Sequence, residues 1–243
     1  MHFEAFVVLL PLFGALLAMP LGRAIGPRAA EIAATGLMAL AAAYAWLLFF
    51  DVALGEQNAR TVTLFTWFSS GDFRADWAVR LDTLSAVMLV VVNTVSFLVH
   101  WYSIGYMHED DGRPRFFAYL SLFTFAMLSL VTADNFMQLF FGWEGVGLAS
   151  YLLIGFWFKK KSANDAAIKA FVVNRVGDFG FALGILAVFY VFGSVEFDTV
   201  FSVIAANGEA VPFGRTSGAP IRELTIDFVG REWHALTVIG VLL

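Results

Sequence analysis

The chain has 243 residues, of which 60% are hydrophobic and 14% charged, with a mean hydropathy of +0.77 and a net charge of −5. Soluble domains carry about 25% charged residues; this composition, with 27 Phe and long apolar runs, instead specifies an all-α polytopic membrane protein, read here as one membrane domain over 1–243. The absence of cysteine excludes thiolate iron–sulfur or zinc ligation and disulfides within the chain, and the small, dispersed net charge argues against nucleic acid as a partner.

The N-terminus enters an apolar run at once, without a basic leading segment or a convincing cleavage site, so residues 3–21 read as a retained first span. A loop with Arg23 and Arg28 leads to span 2, about 30–50. The next thirty residues do not span. Thr61 to Phe68 is rich in Thr, Val, Phe and Trp, and Ser69, Ser70, Gly71 and Asp72 supply a turn. From Phe73 the pattern alternates, with Phe73, Ala75, Trp77, Val79 and Leu81 apolar and Arg74, Asp76 and Arg80 polar. Period 2 predicts a β-hairpin at about 61–81, lying on the membrane surface.

Span 3 covers about 83–107. A polar loop ends in Pro114, suited to the first turn of span 4, about 115–131. Asp134 and Asn135 offer caps for span 5, about 135–158. The basic loop Lys159, Lys160, Lys161 leads to span 6, about 165–192. A polar region follows from Gly193 to Arg231, in which Phe197, Val200, Phe201 and Ile204 recur at helical spacing and predict a short surface helix. From His234 the chain is apolar and stops at Leu243. Ten residues cannot cross a bilayer that needs about 20, so this stretch reads as the start of a seventh span in a truncated sequence.

Loop charges predict the orientation. The short loops after spans 1, 3 and 5 hold seven Lys or Arg; the much longer loops after spans 2 and 6 hold six. By density the short loops face the cytoplasm, and the N-terminus and hairpin are extracytoplasmic.

Three charges fall inside spans: Glu144 in span 5, and Arg175 and Asp178 in span 6. Each costs about 3 kcal/mol on insertion scales, so a chain that keeps them pairs or hydrates them and commonly uses them. At 1.5 Å per residue, Glu144 lies about 14 Å below one surface and Asp178 about 20 Å above the other, both near the midplane of a core of about 30 Å. Arg175 and Asp178 are i, i+3 and share a helix face, which Asn174 extends. Lys169 lies nine residues from Asp178, half a turn round the helix. Gly142, Gly145, Gly147 and Ala149 let another helix approach span 5 closely. Such a cluster can hold a proton, and moving its cation would switch Glu144 between binding and releasing it.

Plainer readings compete. Arg175 and Asp178 also suit a purely structural ion pair, and Lys169 can snorkel to the cytoplasmic surface. His100, near the inner end of span 3, is expected at the interface, and the lysine triplet is a topology signal. The pair Gly145 and Gly147 has no preceding strand, so a nucleotide fingerprint is dismissed. Glu144, a carboxylate without a sequence-evident partner between apolar flanks, has no such plain account.

Two stretches carry a resemblance. Phe140 to Trp157 (FFGWEGVGLASYLLIGFW) and Ala170 to Gly180 (AFVVNRVGDFG) resemble the antiporter-like subunits of proton-pumping NADH:quinone oxidoreductase, respiratory complex I, in the branch called subunit L, or chain 5 in mitochondria. The stretch from Val99 to Met107 and the hairpin before Arg80 and Asp82 also fit. The resemblance implies that Glu144 is a proton carrier, paired with a lysine on a following broken helix and coupled at long range to electron transfer. Arg175 and Asp178 match family polar positions, and Lys169 joins them as a lesser candidate. No cofactor or metal is expected in this chain; FMN, iron–sulfur clusters and quinone are expected in partner subunits of the membrane and peripheral arms. The implied location is the bacterial inner membrane. A subunit of a multi-subunit cation/proton antiporter, a structural membrane subunit with vestigial charges and, less so, a membrane-bound hydrogenase subunit are the competing expectations.

Overall fold

The computed structural model describes residues 4–53, 55, 59–71, 73–206, 220–221 and 223–243, with only the main chain of residue 228. Phe3 of the first predicted span, Asp72 of the predicted turn, and Arg215 and Arg222, two of the six basic residues counted in the longer loops, lie outside the described residues. Six helices are long and apolar enough to cross a membrane: α1 (Ala5–Ala24), α2 (Pro27–Ala53), α3 (Thr83–Tyr106), α4 (Arg113–Val131), α5 (Phe136–Ile154) and α6 (Lys161–Phe192). Each agrees with a predicted span to within a few residues, because about 20 apolar residues satisfy their own backbone groups only as a helix in lipid. The chain is a polytopic helical membrane protein.

The expected hairpin is present, as β1 (Arg60–Ser70) and β2 (Phe73–Leu81), antiparallel from Arg60 opposite Leu81 to Ser70 opposite Phe73. Gly71 turns it with φ 59°, a left-handed conformation that glycine adopts without strain. Ala75, Val79 and Leu81 are buried as the alternation requires. Ala78, on the opposite phase, is buried too, because β2 is covered on its far edge by α5. The hairpin caps one end of the bundle, where α1, α3 and α5 begin and α2, α4 and α6 end. There Arg60 pairs with Glu4 at 3.3 Å and Asp51 at 3.0 Å, joining α1, α2 and β1. Arg80 pairs with Asp82 at 3.1 Å, Asp134 at 3.3 Å and Asp198 at 2.7 Å. The Asp198 contact ties in α7 (Phe197–Ala205), the predicted short helix.

Local caps fix the helix starts. Asp82 and Ser85 form a reciprocal capping box on α3, each side chain accepting the other's backbone N–H at 2.8 Å. Asn135 Oδ1 accepts from Gln138 N at 2.9 Å at the start of α5. Gly193, φ 66°, closes α6.

Two findings depart from the sequence reading. A second hairpin, β3 (Thr225–Phe228) and β4 (Arg231–His234), occupies part of the stretch read as merely polar. Its strands are four residues each and β4 is exposed throughout, too short for a periodic signal. The apolar end is helical, in agreement with the sequence reading, and forms α8 (Ala235–Leu242), which packs along α6 with Leu243 against Gly184. His100, expected at the interface, is fully buried between α3 and α4. Its Nδ1 lies 2.8 Å from the Ser96 carbonyl and therefore carries the hydrogen, while Nε2 accepts from Ser121 Oγ at 3.0 Å. Partners two helices wide, invisible in a linear sequence, make burial of this imidazole affordable.

Candidate functional site

Helix α5 presents two different faces. Gly142 and Gly145 meet Leu130 and Ala126 of α4 so closely that a methyl group on Gly142 would stand 2.6 Å from the Leu130 nitrogen. Small residues here let the two backbones touch. The other face carries Phe140, Trp143, Glu144, Gly147 and Tyr151, and these meet α6 in antiparallel order. Tyr151 meets Phe171 at a tilt with ring centroids 5.4 Å apart, and Phe140 meets Phe181 edge-on at 5.5 Å.

Between these aromatic contacts sit the charges. Arg175 Nη1 is ion-paired with Glu144 Oε2, and Arg175 Nε lies 2.9 Å from Asp178 Oδ2. Trp143 Nε1 donates to Asp178 Oδ1 at 2.8 Å. The guanidinium also lies over the Phe171 ring, 4.7 Å from its centroid. Gly147 leaves the space through which the arginine reaches α5, with Arg175 Nη2 3.6 Å from where a Cβ would be. Asp178 is nearly sealed, its side chain 6% exposed, whereas Glu144 and Arg175 are partly open at 24% and 37%.

The sequence-based pairing of Arg175 with Asp178 is thus present. Glu144, read there as lacking a partner, has one: Arg175 bridges both carboxylates. Lys169 is not brought to the cluster; it is exposed on α6, and no ion pair to it occurs among the described residues. Asn174 is exposed near Gly147. Sequence reasoning missed Trp143, although an indole N–H in an apolar span needs an acceptor and this one adjoins Glu144. It also missed Glu31, buried in α2 and paired with Arg113 at 2.9 Å. Chemically, one cation shared by two carboxylates from different helices is an arrangement in which a small shift of the cation changes which carboxylate it neutralises.

Two family models match these segments. Residues 67–117 match NADH-ubiquinone oxidoreductase (complex I), chain 5 N-terminus. Residues 133–219, which contain the whole cluster, match NADH:quinone oxidoreductase/Mrp antiporter, TM. NADH-quinone oxidoreductase subunit L of Rhodobacter capsulatus is 46% identical across 98% of this chain and 32% of its own length. NADH-ubiquinone oxidoreductase chain 5 of Marchantia polymorpha is 46% identical across 97% of this chain and 33% of its own, and that of Arabidopsis thaliana 52% across 81% and 29%. The chain therefore spans about a third of the length of the curated relatives it matches. Among solved structures, the membrane-bound sulfane sulfur reductase, an archaeal respiratory membrane complex, superposes with TM-score 0.71 at 18% identity over 84% of this chain and 40% of the other. The Mrp complex from Dietzia sp. DQ12-45-1b gives 0.66 at 22% identity over 80% and 20%. Identities this low establish the fold alone. The matched family models place the chain in the class of antiporter-like membrane proteins. Within that class, the chain belongs to the family of NADH:quinone oxidoreductase subunit L, or chain 5.

Proposed function

We propose that the protein is a proton-translocating membrane-arm subunit of NADH:quinone oxidoreductase, in which Glu144 takes up and releases a proton in each cycle. The observation that carries this reading is the ion-paired Glu144, Arg175 and Asp178 between α5 and α6, inside the segment matched to the NADH:quinone oxidoreductase/Mrp antiporter model. Arg175 is the mobile countercharge: held between two carboxylates, it leaves Glu144 to be neutralised by a proton whenever it moves toward Asp178. Asp178, sealed and also bonded to Trp143, is the fixed end of the pair. Lys169 stands apart in this structure, near the start of α6, and serves as a relay between the cluster and the cytoplasmic side.

In this reading the chain sits in the bacterial inner membrane with its N-terminus and hairpin outside, among other membrane-arm subunits. Electron transfer through FMN, iron–sulfur clusters and quinone takes place in partner subunits, and drives the proton step from a distance. The chain then contributes to oxidoreductase activity without a redox centre of its own. A cation/proton antiporter subunit is the second reading, favoured by the Mrp part of the matched model; the chain 5 match over residues 67–117 and the named relatives favour the first.

The test is proton release per NADH oxidised by the assembled enzyme in vesicles, with assembly checked on native gels. Glu144→Gln keeps the shape but cannot ionise and should abolish pumping. Glu144→Asp withdraws the carboxyl by about 1.5 Å or less, a gap that water can bridge, and should retain part of it. An assembled Gln variant pumping at the wild-type ratio and rate would remove Glu144 from the path.

A further inference from the structure

Gln138 lies in the first turn of α5 and is fully buried. Its amide is used twice on one residue of the hairpin. Ala78 N donates to Gln138 Oε1 at 3.0 Å, and Gln138 Nε2 donates to Ala78 O at 2.7 Å. A side chain thus pairs with the edge of β2 as a neighbouring strand would. One helical turn earlier, Asn135 Nδ2 donates to Asp76 O at 2.7 Å, two residues along the same edge. Gln138 Nε2 also reaches Ser129 O of α4 at 3.4 Å, and Arg80 N donates to Thr132 O at 2.9 Å, so hairpin, α4 and α5 are held together here.

Farther along α5, Gly142 and Gly145 seat Leu130 and Ala126 of α4 by close packing alone. Such contacts are non-directional, so the paired amide of Gln138 is the directional contact that adds to them in setting the register of α5. A slip of one residue moves a helix about 1.5 Å and turns it about 100°. That would swing Glu144, six residues beyond Gln138, off Arg175. The charged groups that face Glu144 are Arg175 and Asp178, both from α6; α4 presents Ala126 and Leu130 to this part of α5.

We propose that Gln138 is a positioning residue for the Glu144, Arg175 and Asp178 cluster, setting the height and rotation of α5 through the edge of β2. The inference rests on the proton-carrying role proposed above, and its test separates the two. In the full-length subunit within the assembled complex, Gln138→Met removes both hydrogen bonds at similar volume. Gln138→Glu, as a neutral acid, keeps one donor and one acceptor. Arg175→Lys loosens the cluster directly, and Glu144→Gln removes the ionisable group.

Pumping by the Met variant should fall substantially, by up to about a hundred-fold, the scale of a site misplaced by about 1 Å. Its pH profile should move by about half a unit or more in the same direction as that of Arg175→Lys, and the Glu variant should recover most of the activity. A Met variant with the wild-type pH profile, or a loss that Glu does not restore, overturns the proposal. Where Met fails to assemble, Gln138→Asn, one methylene too short to reach both Ala78 atoms, is measured in the same way and judged by the same outcomes.

A register readout is independent of pumping. The chain has no cysteine, so a Phe140→Cys, Phe181→Cys pair, at rings 5.5 Å apart and clear of the charged cluster, reports on the α5–α6 register by oxidative cross-linking. Cross-linking should slow with Gln138→Met and stay unchanged with Glu144→Gln. Unchanged cross-linking with Gln138→Met overturns the clamp. Wild-type pumping by Glu144→Gln, with cross-linking still sensitive to Gln138, overturns the proton-carrying role and leaves the clamp as the determinant of the register.

Discussion

Trp143 Nε1 donates a 2.8 Å hydrogen bond to Asp178 Oδ1 while Arg175 Nε stands 2.9 Å from Asp178 Oδ2, so one carboxylate is held from both α5 and α6. The indole also meets Phe181, with centroids 6.0 Å apart, and lines a cavity of about 350 Å³ with Leu130, Leu139, Gly177 and Leu243. Trp143→Phe keeps the ring and deletes the donor. The expected cost is about 1–3 kcal/mol, that of a buried charged acceptor losing one partner, read from denaturant unfolding of the purified complex. Unchanged stability would mean that the arginine alone satisfies Asp178.

Removing Arg175 leaves the sealed Asp178 carboxylate without its cation, at a typical cost of about 3–5 kcal/mol, whereas removing Asp178 leaves the partly open Arg175 still paired with Glu144 and costs less. Arg175→Ala should be the more severe, because Glu144 loses its countercharge as well. Adding Asp178→Asn to it should cost less than the sum of the two single changes. Subunit abundance on native gels, followed through this double-mutant cycle, checks the pair; strictly additive losses would mean that the two residues do not interact.

Gly142→Ala places a methyl group 2.6–2.7 Å from Leu130 main-chain atoms, closer than van der Waals contact allows. Helices α4 and α5 must then separate, at about 1–3 kcal/mol. Gly177→Ala is the control: nothing lies within 4 Å of its added methyl, and alanine favours the helix by about 1 kcal/mol. Thermal unfolding should show opposite signs for the two variants. A Gly142→Ala protein as stable as Gly177→Ala would contradict the close α4–α5 contact.

At the other end of the bundle, the Trp157 indole donates to Asp110 Oδ2 at 2.9 Å and Lys160 Nζ lies 4.9 Å from the same indole ring. The indole hydrogen bond, against partial burial and aided by the Gly112 N–H, holds the Asp110 carboxyl below the usual carboxylate range. The folded value is depressed, so the contact stabilises the loop fully above the ordinary Asp value of about 3.9 and is lost as pH falls through the folded one. Amide exchange of residues 107–113, expressed relative to the intrinsic rate at each pH, should be slow and constant from neutrality down to about pH 4 and accelerate below it. Trp157→Phe should accelerate it at neutral pH and flatten the acid dependence; an unaltered profile would show that the indole contributes nothing.

Much of this was legible before any coordinates. The cap of α5 could be read at Asn135, the first hairpin from the alternation after Phe73, and the Arg175–Asp178 pair from i, i+3 spacing, because each depends on neighbours within a few residues. The partner of Glu144 was not legible. Arg175 lies 31 residues away on another helix, and nothing local states how far α5 and α6 are rotated about their axes. His100 was misplaced for the same reason: distance along its own helix pointed to the interface, whereas Ser121 of α4 encloses it.

The sequence by itself determined the class, the number and ends of the membrane helices, the first hairpin and the family resemblance, because hydropathy, period and capping act over short stretches of chain. Only the tertiary structure decided which charges meet. That choice depends on the glycine seam that seats α5 on α4, on the aromatic pairs that align α5 with α6, and on the Gln138 amide that fixes α5 to the hairpin. These are contacts between residues up to sixty positions apart, and their geometry exists only once the helices have packed.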